Sequence, residues 1–190
     1  MLKNKLVIAL LATAGLMFSA VASAQVYVGG TVGKAQWSDD CSGLSSCDTN
    51  ASTYKLFSGY NINDKFSVEG SYYSLGTINA NGNIAGTQNS ASLKGTGFEL
   101  AGIYNQALTD KLSGFAKVGL TRVKVENNFV AQNVSGSDSQ SSTAPVFGIG
   151  LDYKLTSQLA LRGEIETRKV KYNGEKDAVN NVSVGLKYNF

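Results

Sequence analysis

The sequence predicts an all-β fold: an eight-stranded antiparallel up-and-down transmembrane β-barrel with short periplasmic turns and long extracellular loops. Segments of about ten residues alternate between apolar and small or polar side chains, which is the period of a strand with two different faces. The connections between them alternate between tight turns and longer polar stretches, as in outer-membrane barrels. The composition agrees, with 21 glycines, nine tyrosines, eight phenylalanines and one proline.

The first 24 residues are predicted to be a secretory signal for export through the Sec pathway. Lys3 and Lys5 precede an apolar run at 6–20, and the small residues "ASA" at 22–24 form a cleavage site. A membrane-anchor helix competes with this interpretation, but the run is shorter than the ~20 residues that a spanning helix needs. The barrel domain is expected to span residues 25–190. Removal of the two lysines lowers the net charge from +3 to +1, which gives no indication of nucleic acid as a partner.

The alternation predicts eight strands. They cover residues 26–37, 53–62, 66–75, 93–106, 112–126, 143–155, 159–172 and 180–190. Three connections are tight, at 61–64, 107–110 and 156–158. The other four are longer and polar, at 38–52, 76–92, 127–142 and 173–179.

A repeated phrase marks the three tight turns: "YNINDKFS" at 60–67, "YNQALTDKLS" at 104–113 and "YKLTSQLA" at 153–160. Each copy has a tyrosine, a polar turn and then a Leu or Phe. In a barrel these tyrosines would join an aromatic belt at the inner membrane interface, whereas in a soluble sandwich they could be core residues. The expected belt comprises Tyr60, Tyr104, Tyr153, Tyr188 and Phe190.

The C-terminal segment "SVGLKYNF" sets the direction in which side chains point. Its even positions are apolar or aromatic and its odd positions small or polar, so one face suits lipid and the other a polar lumen. A charge on the lipid side at the midplane costs ~2–4 kcal/mol, so charged residues are expected to face inward. The predicted lumenal set has five charges of each sign: Lys55, Lys117, Arg162, Arg168 and Lys187 with Glu69, Glu99, Asp152, Glu164 and Glu166.

The stretch "LRGEIETRKV" at 161–170 carries a charge on every second residue. Glu164 and Glu166 could be an acid/base pair, a metal site or the polar face of a strand. Arg162 and Arg168 flank them on the same face, so ionised, paired carboxylates are expected. The chain has no histidine, the commonest base for Ser or Asp chemistry, so no enzyme activity, catalytic residue or cofactor is predicted.

A second group of charges lies on the outward face, near the long-loop ends of the strands. Two interpretations remain open: these positions lie beyond the hydrocarbon, where a charge is tolerated, or they form a basic rim that binds lipopolysaccharide phosphates. The residues are Lys34, Lys94, Arg122, Lys124, Lys169 and Lys171.

The chain has two cysteines, Cys41 and Cys47, within the stretch "DDCSGLSSCDT". In an exported protein such a pair is expected to form a disulfide that closes a small surface loop. A metal site is the alternative, but two thiols in a chain without histidine make a poor ligand set. No metal is therefore predicted.

Several segments resemble the OmpA-like transmembrane β-barrel family: "VYVGGTVG", "FSGYNINDKFSVEGSYYSLG", "GFELAGIYNQALTDKL", "PVFGIGLDYKLTSQLALRGEI" and "VSVGLKYNF". The resemblance implies a Gram-negative outer-membrane location. It also implies that the barrel-assembly machinery reads the last strand through Ser183, Gly185, Tyr188 and Phe190. Glu69 and Arg162 match a lumenal pair that the family links to rare opening of a small channel. The family's second pair needs a lysine where this chain has Ile103, so Asp152 would lack that partner.

The predicted function is an integral outer-membrane barrel with a closed polar lumen and a structural, envelope-integrity or surface-interaction role. A small low-conductance channel gated by the lumenal charges is the alternative. The interior of an eight-stranded barrel is just wide enough for side chains to fill, which favours the closed form. Polar loops such as 76–92 and 131–142 could contact a host or surface ligand, or merely keep the surface hydrated.

Overall fold

The computed structural model describes residues 25–37, 46–47, 50–84, 87–131, 134–172 and 175–190. Eight long strands account for most of them. No helix in these ranges is long and apolar enough to cross a bilayer. The strands are β1 (Val26–Trp37), β2 (Asn50–Asn61), β3 (Phe66–Ile84), β4 (Thr87–Ala107), β5 (Leu112–Ala131), β6 (Val134–Lys154), β7 (Leu159–Tyr172) and β8 (Glu175–Asn189).

The strands form a closed antiparallel barrel in which each pairs with its neighbours along the chain. The first and last strands close the ring, with a register that runs from Tyr27 opposite Asn189 to Trp37 opposite Val179. A two-residue segment, Ser46–Cys47, adds a short pairing with β3. Closure satisfies the backbone polar groups that a sheet edge would leave unpaired, as a strand structure inside a lipid bilayer requires. The predicted fold class is confirmed.

The strands are longer than predicted on one side of the barrel. The predicted connection at 76–92 is wrong as a loop, because β3 continues to Ile84 and β4 begins at Thr87. The connection at 127–142 is likewise mostly strand, since β5 runs to Ala131 and β6 begins at Val134. These segments are rich in Ser, Asn, Thr and Gly, so they show no apolar alternation. Backbone hydrogen bonds extend the hairpins without it.

The three tight turns share one local structure, which explains the repeated phrase. In each turn a polar side chain accepts hydrogen bonds from two backbone N–H groups that follow it. Asn63 Oδ1 accepts from Lys65 N and Phe66 N, both at 2.9 Å. Thr109 and Thr156 take the same position with Oγ1. Such Asx- and Ser/Thr-type caps supply turn partners that the backbone cannot supply itself.

Side chains alternate between the lumen and the outer surface as the C-terminal pattern predicts. The outer surface carries exposed apolar side chains from every strand, and the belt residues Tyr60, Tyr104, Tyr153, Tyr188 and Phe190 are among them. Rings of neighbouring strands touch, as in the pair Phe66–Tyr104 with centroids 5.5 Å apart. A continuous apolar outer surface with aromatic residues toward its edge is the surface that a bilayer requires.

One irregularity breaks this alternation in β3. The register shifts between Ser74 and Gly76, and Gly76 has a φ of 76°, in the left-handed region that favours glycine. A Cβ at this position would also overlap the backbone oxygen of Ser52. Because of the bulge, Leu75 and Ile78, three residues apart, both point into the lumen.

Four large rings in the described part of the lumen each lie opposite a glycine of the neighbouring strand. Tyr27 pairs with Gly59, and Phe57 with Gly29. Tyr73 pairs with Gly97, and Phe115 with Gly150. A Cβ on any of these four glycines would overlap the facing ring. The missing side chains therefore make room for four aromatic rings in a narrow lumen, a device also used in designed sheets.

We expect Gly150→Ala to destabilise the barrel, because the new methyl would overlap the Phe115 ring and the backbone oxygen of Gly163. Overpacking of this kind costs about 1–3 kcal/mol. The measurement is the urea midpoint of the protein refolded in lipid vesicles, followed by the band shift on unboiled gels. Gly163→Ala is the matched control, since nothing lies within 4 Å of its Cβ position. Equal midpoints for the two variants would contradict the packing explanation.

Candidate functional site

The ten charged residues of the predicted lumenal set all lie inside the barrel. Nine are buried, and Lys187 is half-buried toward the tight-turn end. They come from seven of the eight strands; β1 contributes Tyr27 and Thr31 instead. Charged groups out of water require partners, because an unpaired buried charge costs several kcal/mol. Each of the five carboxylates lies within 4 Å of at least one cation.

Arg162 organises the part of the network near the tight turns. Its Nε and Nη2 donate to the two oxygens of Asp152 at 2.8 and 3.0 Å, and its Nη1 donates to Glu69 Oε2 at 2.8 Å. This bidentate geometry is the strongest arrangement of an Arg–carboxylate pair. The Glu69–Arg162 pair implied by the family resemblance is therefore present. Asp152 does not lack a partner, because Arg162 and Lys187 both contact it.

Aromatic rings surround the same guanidinium group. Its Cζ lies 4.6 Å from the ring centroid of Phe57 on β2 and 4.5 Å from that of Phe115 on β5. Tyr27 donates its hydroxyl to Glu69 Oε2 at 3.1 Å, and its ring lies 4.3 Å from Lys187 Nζ. Sequence reasoning missed Tyr27 and Phe57 as members of the site. The period-two alternation of β1 and β2 places both on the inward face and could have found them.

Lys117 is the central cation of the network. Four carboxylates surround its Nζ: Glu99 at 2.9 Å, Glu164 at 3.7 Å, Glu69 at 3.8 Å, and Glu166 in the closest contact. The side chain of Lys117 is fully buried. Its positive charge therefore holds together four acids that would otherwise repel one another at short range.

Lys55 and Arg168 complete the pairing of these acids. Lys55 bridges Glu164 and Glu166 from β2. Arg168 Nη2 donates to Glu99 Oε2 at 2.8 Å and to Glu166 Oε2 at 2.9 Å. The Arg168 guanidinium also lies 4.3 Å from the ring centroid of Tyr73. Five positive and five negative side chains thus form one connected cluster that spans the lumen.

The arrangement of Glu164 and Glu166 favours a structural role over an acid/base pair. Thr31 and Ser183 hydroxyls donate to Glu164 Oε1, at 3.4 and 3.2 Å, in addition to its lysine partners. Glu166 receives hydrogen bonds from two lysines and an arginine. Within the described ranges, no group of three His, Cys, Asp or Glu residues is placed to hold a metal ion. Both carboxylates belong to the polar face of β7.

An apolar layer covers the charged cluster on the long-hairpin side, a feature that sequence reasoning missed. Its side chains are fully or almost fully buried and pack against one another. On most strands these side chains lie closer to the long-hairpin end than the charged residues do. Leu93 packs against them. The layer consists of Ala35, Ala51, Tyr73, Leu75, Ile78, Val123, Val125 and Val179.

The lumen opens instead at the tight-turn end, in a polar cavity of about 630 Å³. Asp152 and Lys187 are among its lining residues, so the cavity reaches the charged cluster. We call this cavity the vestibule. The lumen therefore has three zones in sequence: the vestibule, the charged cluster and the apolar layer.

The other predicted site residues lie outside the lumen or at its wall. Lys34, Lys94, Arg122, Lys124 and Lys169 are exposed on the long-hairpin side, and the Lys171 side chain falls outside the described part. Ser183 and Gly185 face the lumen, whereas Tyr188 and Phe190 face outward with ring centroids 5.2 Å apart. Their role in assembly stays a prediction. Cys41 and the Cys47 side chain lie outside the described residues, so the disulfide also stays a prediction.

A closed eight-stranded barrel with an apolar outer surface and a charged lumen defines an integral outer-membrane protein. The family model described as "Outer membrane protein beta-barrel domain" matches residues 6–190, and the chain belongs to this family. It is therefore a protein of the Gram-negative outer membrane. Its tight turns face the periplasm and its long hairpins the exterior.

Individual relatives are distant. The chain is 25% identical to outer membrane protein A of Klebsiella pneumoniae over 142 residues, which are 70% of this chain and 40% of that protein. The crystal structure of Ail, the attachment invasion locus protein of Yersinia pestis, superposes with a TM-score of 0.60 at 16% identity. The match covers 89% of this chain and all of Ail. Ail in complex with the heparin analogue sucrose octasulfate gives 0.56 at 18% identity, over 87% and 99% of the two chains.

We expect Lys117→Met to destabilise the barrel by about 3–5 kcal/mol, because four buried carboxylates would lose their central cation. Chemical unfolding in lipid vesicles measures the loss. Adding Glu166→Gln should recover part of it, since one uncompensated negative charge is removed. Lys124→Met is the matched control. Its ion pair with Glu126 at 2.7 Å is half exposed, so little change is expected. A barrel equally stable with Met at 117 would refute the central role of this lysine.

Proposed function

We propose that this protein is a closed structural barrel that contributes to envelope integrity and presents its outer hairpins for surface contacts. The observation that carries the proposal is the filled lumen, in which a cluster of charged side chains without net charge lies beneath an apolar layer. Bulk diffusion needs a continuous aqueous path, whereas this lumen offers charges held by their partners and then a layer of mostly apolar side chains. A hydrophobic constriction excludes water and ions by dewetting.

A catalytic role finds no support in the lumen. The carboxylates that could act as acid or base are each engaged by cations, and their geometry is held by several strands. A general base needs access to a substrate proton at hydrogen-bond distance. Carboxylates that are buried and paired with cations do not offer such access.

A second candidate function is contact with anionic polysaccharide or lipopolysaccharide through the basic rim. Lys94, Arg122 and Lys124 lie on adjacent strands: Lys124 stands opposite Thr96, and Arg122 opposite Phe98. Below them begins the exposed apolar surface of Phe98 and Leu120. Cations directly above a lipid-facing surface are placed for charge-assisted hydrogen bonds to lipid phosphates. Ail, a structural neighbour, has been crystallised with the heparin analogue sucrose octasulfate. We therefore choose this polyanion as the probe for the rim.

We expect the wild-type protein to give no steady large conductance in planar bilayers. Leu75→Ala combined with Val123→Ala should increase the frequency of openings, because it widens the apolar layer. The control combines Leu120→Ala with Val118→Ala, the same changes on the lipid-facing surface. A steady large conductance of the wild type would overturn the closed barrel in favour of a channel. Equal opening frequencies for the two double variants would show that the apolar layer is not the seal.

We expect Lys94→Gln, Arg122→Gln and Lys124→Gln together to lower the thermal stability gained from lipopolysaccharide-containing membranes and to weaken binding of sucrose octasulfate. The gain depends on phosphate contacts, so it should fall with rising salt. Lys65→Gln with Lys111→Gln is the control, since these exposed lysines lie in the periplasmic turns. Unchanged stabilisation in the triple variant would leave the rim as solvated charge without a ligand.

A further inference from the structure

Six of the fifteen residues that line the vestibule carry a side-chain amide. Its mouth and walls are formed by the tight turns and by the periplasmic ends of several strands. The volume of about 630 Å³ falls within the range of small-ligand sites, about 300–1,000 Å³. The amides that line it are Gln25, Asn61, Asn63, Asn105, Gln158 and Asn189.

Three of these amides are fixed through their oxygen, which leaves their nitrogen as a donor. Asn61 Oδ1 accepts from Ser67 Oγ at 2.8 Å, and Asn63 Oδ1 accepts from two backbone N–H groups of its own turn. Gln25 Oε1 accepts the hydroxyl of Tyr60. Asn61 is thus held by a lumenal side chain of β3, Asn63 by its own turn and Gln25 by the outward-facing Tyr60. The NH₂ groups of these three side chains have no partner among the described residues.

Two further amides are fixed through their nitrogen, which leaves their oxygen as an acceptor. Asn105 Nδ2 donates to Ser67 Oγ at 2.9 Å, and Asn189 Nδ2 donates to the backbone oxygen of Gln158 at 3.2 Å. The vestibule thus presents donors and acceptors in fixed positions around one cavity. Preorganised polar groups bind a ligand without paying again for side-chain ordering.

The charges of the vestibule argue against an ionic ligand. Lys154 and Lys187 are balanced by Asp64 and Asp152, and Lys187 already pairs with Asp152 at 3.1 Å. An extended peptide is also disfavoured, because the ring of strands is closed and offers no free edge to pair with. The lining fits a neutral ligand rich in groups that both donate and accept.

We propose that the vestibule binds a short glycan of N-acetylated amino sugars from the periplasmic side. Sugar hydroxyls act as donor and acceptor at once, and each acetamido group adds one further donor and one acceptor. This matches the mixture of free amide nitrogens and oxygens at the vestibule wall. The proposal goes beyond the closed-barrel function and depends on neither the apolar layer nor the basic rim.

The test measures binding of N-acetylglucosamine trisaccharide to the full refolded protein in lipid nanodiscs by titration calorimetry. Asn61→Asp keeps the oxygen that accepts from Ser67 but replaces the free NH₂ group with a second oxygen and adds a negative charge. Asn105→Leu removes the free acceptor. We expect each change to weaken binding about fivefold, the equivalent of one lost hydrogen bond of about 1 kcal/mol. Gln106→Leu, on the outward face of the same strand, should leave affinity unchanged.

Two other ligands, maltotriose and triglycine, test the alternatives to an N-acetylated glycan. Maltotriose tests whether hydroxyl groups alone suffice, and we expect it to bind more weakly because it lacks acetamido groups. Triglycine tests a peptide ligand. The proposal is overturned if the trisaccharide does not bind to correctly folded protein, if triglycine binds more tightly, or if the two asparagine variants bind like wild type. Heat-modifiable migration on unboiled gels establishes folding for every variant.

Discussion

The pairing of the lumenal charges in the described part of the chain is the constraint on which the rest of this barrel depends. Ten ionised side chains are enclosed by eight strands, and burial of even one without a partner costs several kcal/mol. A slip of one residue in any strand pairing would turn that strand's charges toward lipid and its apolar residues inward. Network and outer surface therefore specify the same register. Because a buried ion pair is weak evidence for net stability, we regard the cluster mainly as a device that specifies one register.

The charged cluster depends in turn on the space that glycines provide. Arg162 lies between the rings of Phe57 and Phe115, and each ring occupies volume left open by a glycine opposite it. With a methyl group in place of either glycine, the ring would have to move into the position of the guanidinium. A cation–π contact between desolvated groups contributes about 2 kcal/mol or more, so the ring positions and the ion-pair geometry are energetically coupled. These glycines therefore serve the packing of the lumen.

Much of this structure follows from the sequence because two solvents act on the same strands. Lipid on one side and a narrow lumen on the other impose a period of two, which identified the direction of residues such as Glu164 and Ile165. The bounds of β1 and β7 were predicted correctly for the same reason. Beyond the bilayer both faces of a hairpin meet water, so alternation no longer marks the strand, and the ends of β3 to β6 were missed. The bulge at Gly76 was missed too, because a single glycine in a glycine-rich chain carries no signal of its φ.

The site was less predictable than the fold. The alternation along a strand shows whether a side chain points into the lumen, but it does not give the distances between side chains of different strands. The alternation placed Asp152 and Arg162 in the lumen, yet it could not show that Asp152 takes Arg162 and Lys187 as partners. The apolar layer escaped detection because it requires side chains from separate strands to meet at one height, together with the inward turn of Leu75 and Ile78 after the bulge.

This layer makes the two ends of the lumen chemically different. Apolar side chains cover the charged cluster on the exterior side, whereas amides and a partly accessible ion pair line the periplasmic vestibule. Among the described residues, the polar route to the cluster therefore lies on the periplasmic side. The basic rim and the long hairpins lie on the opposite, exterior side of the layer. The two proposed binding surfaces, the basic rim and the vestibule, therefore lie on opposite sides of the apolar layer, so each can be tested by substitutions that do not touch the other.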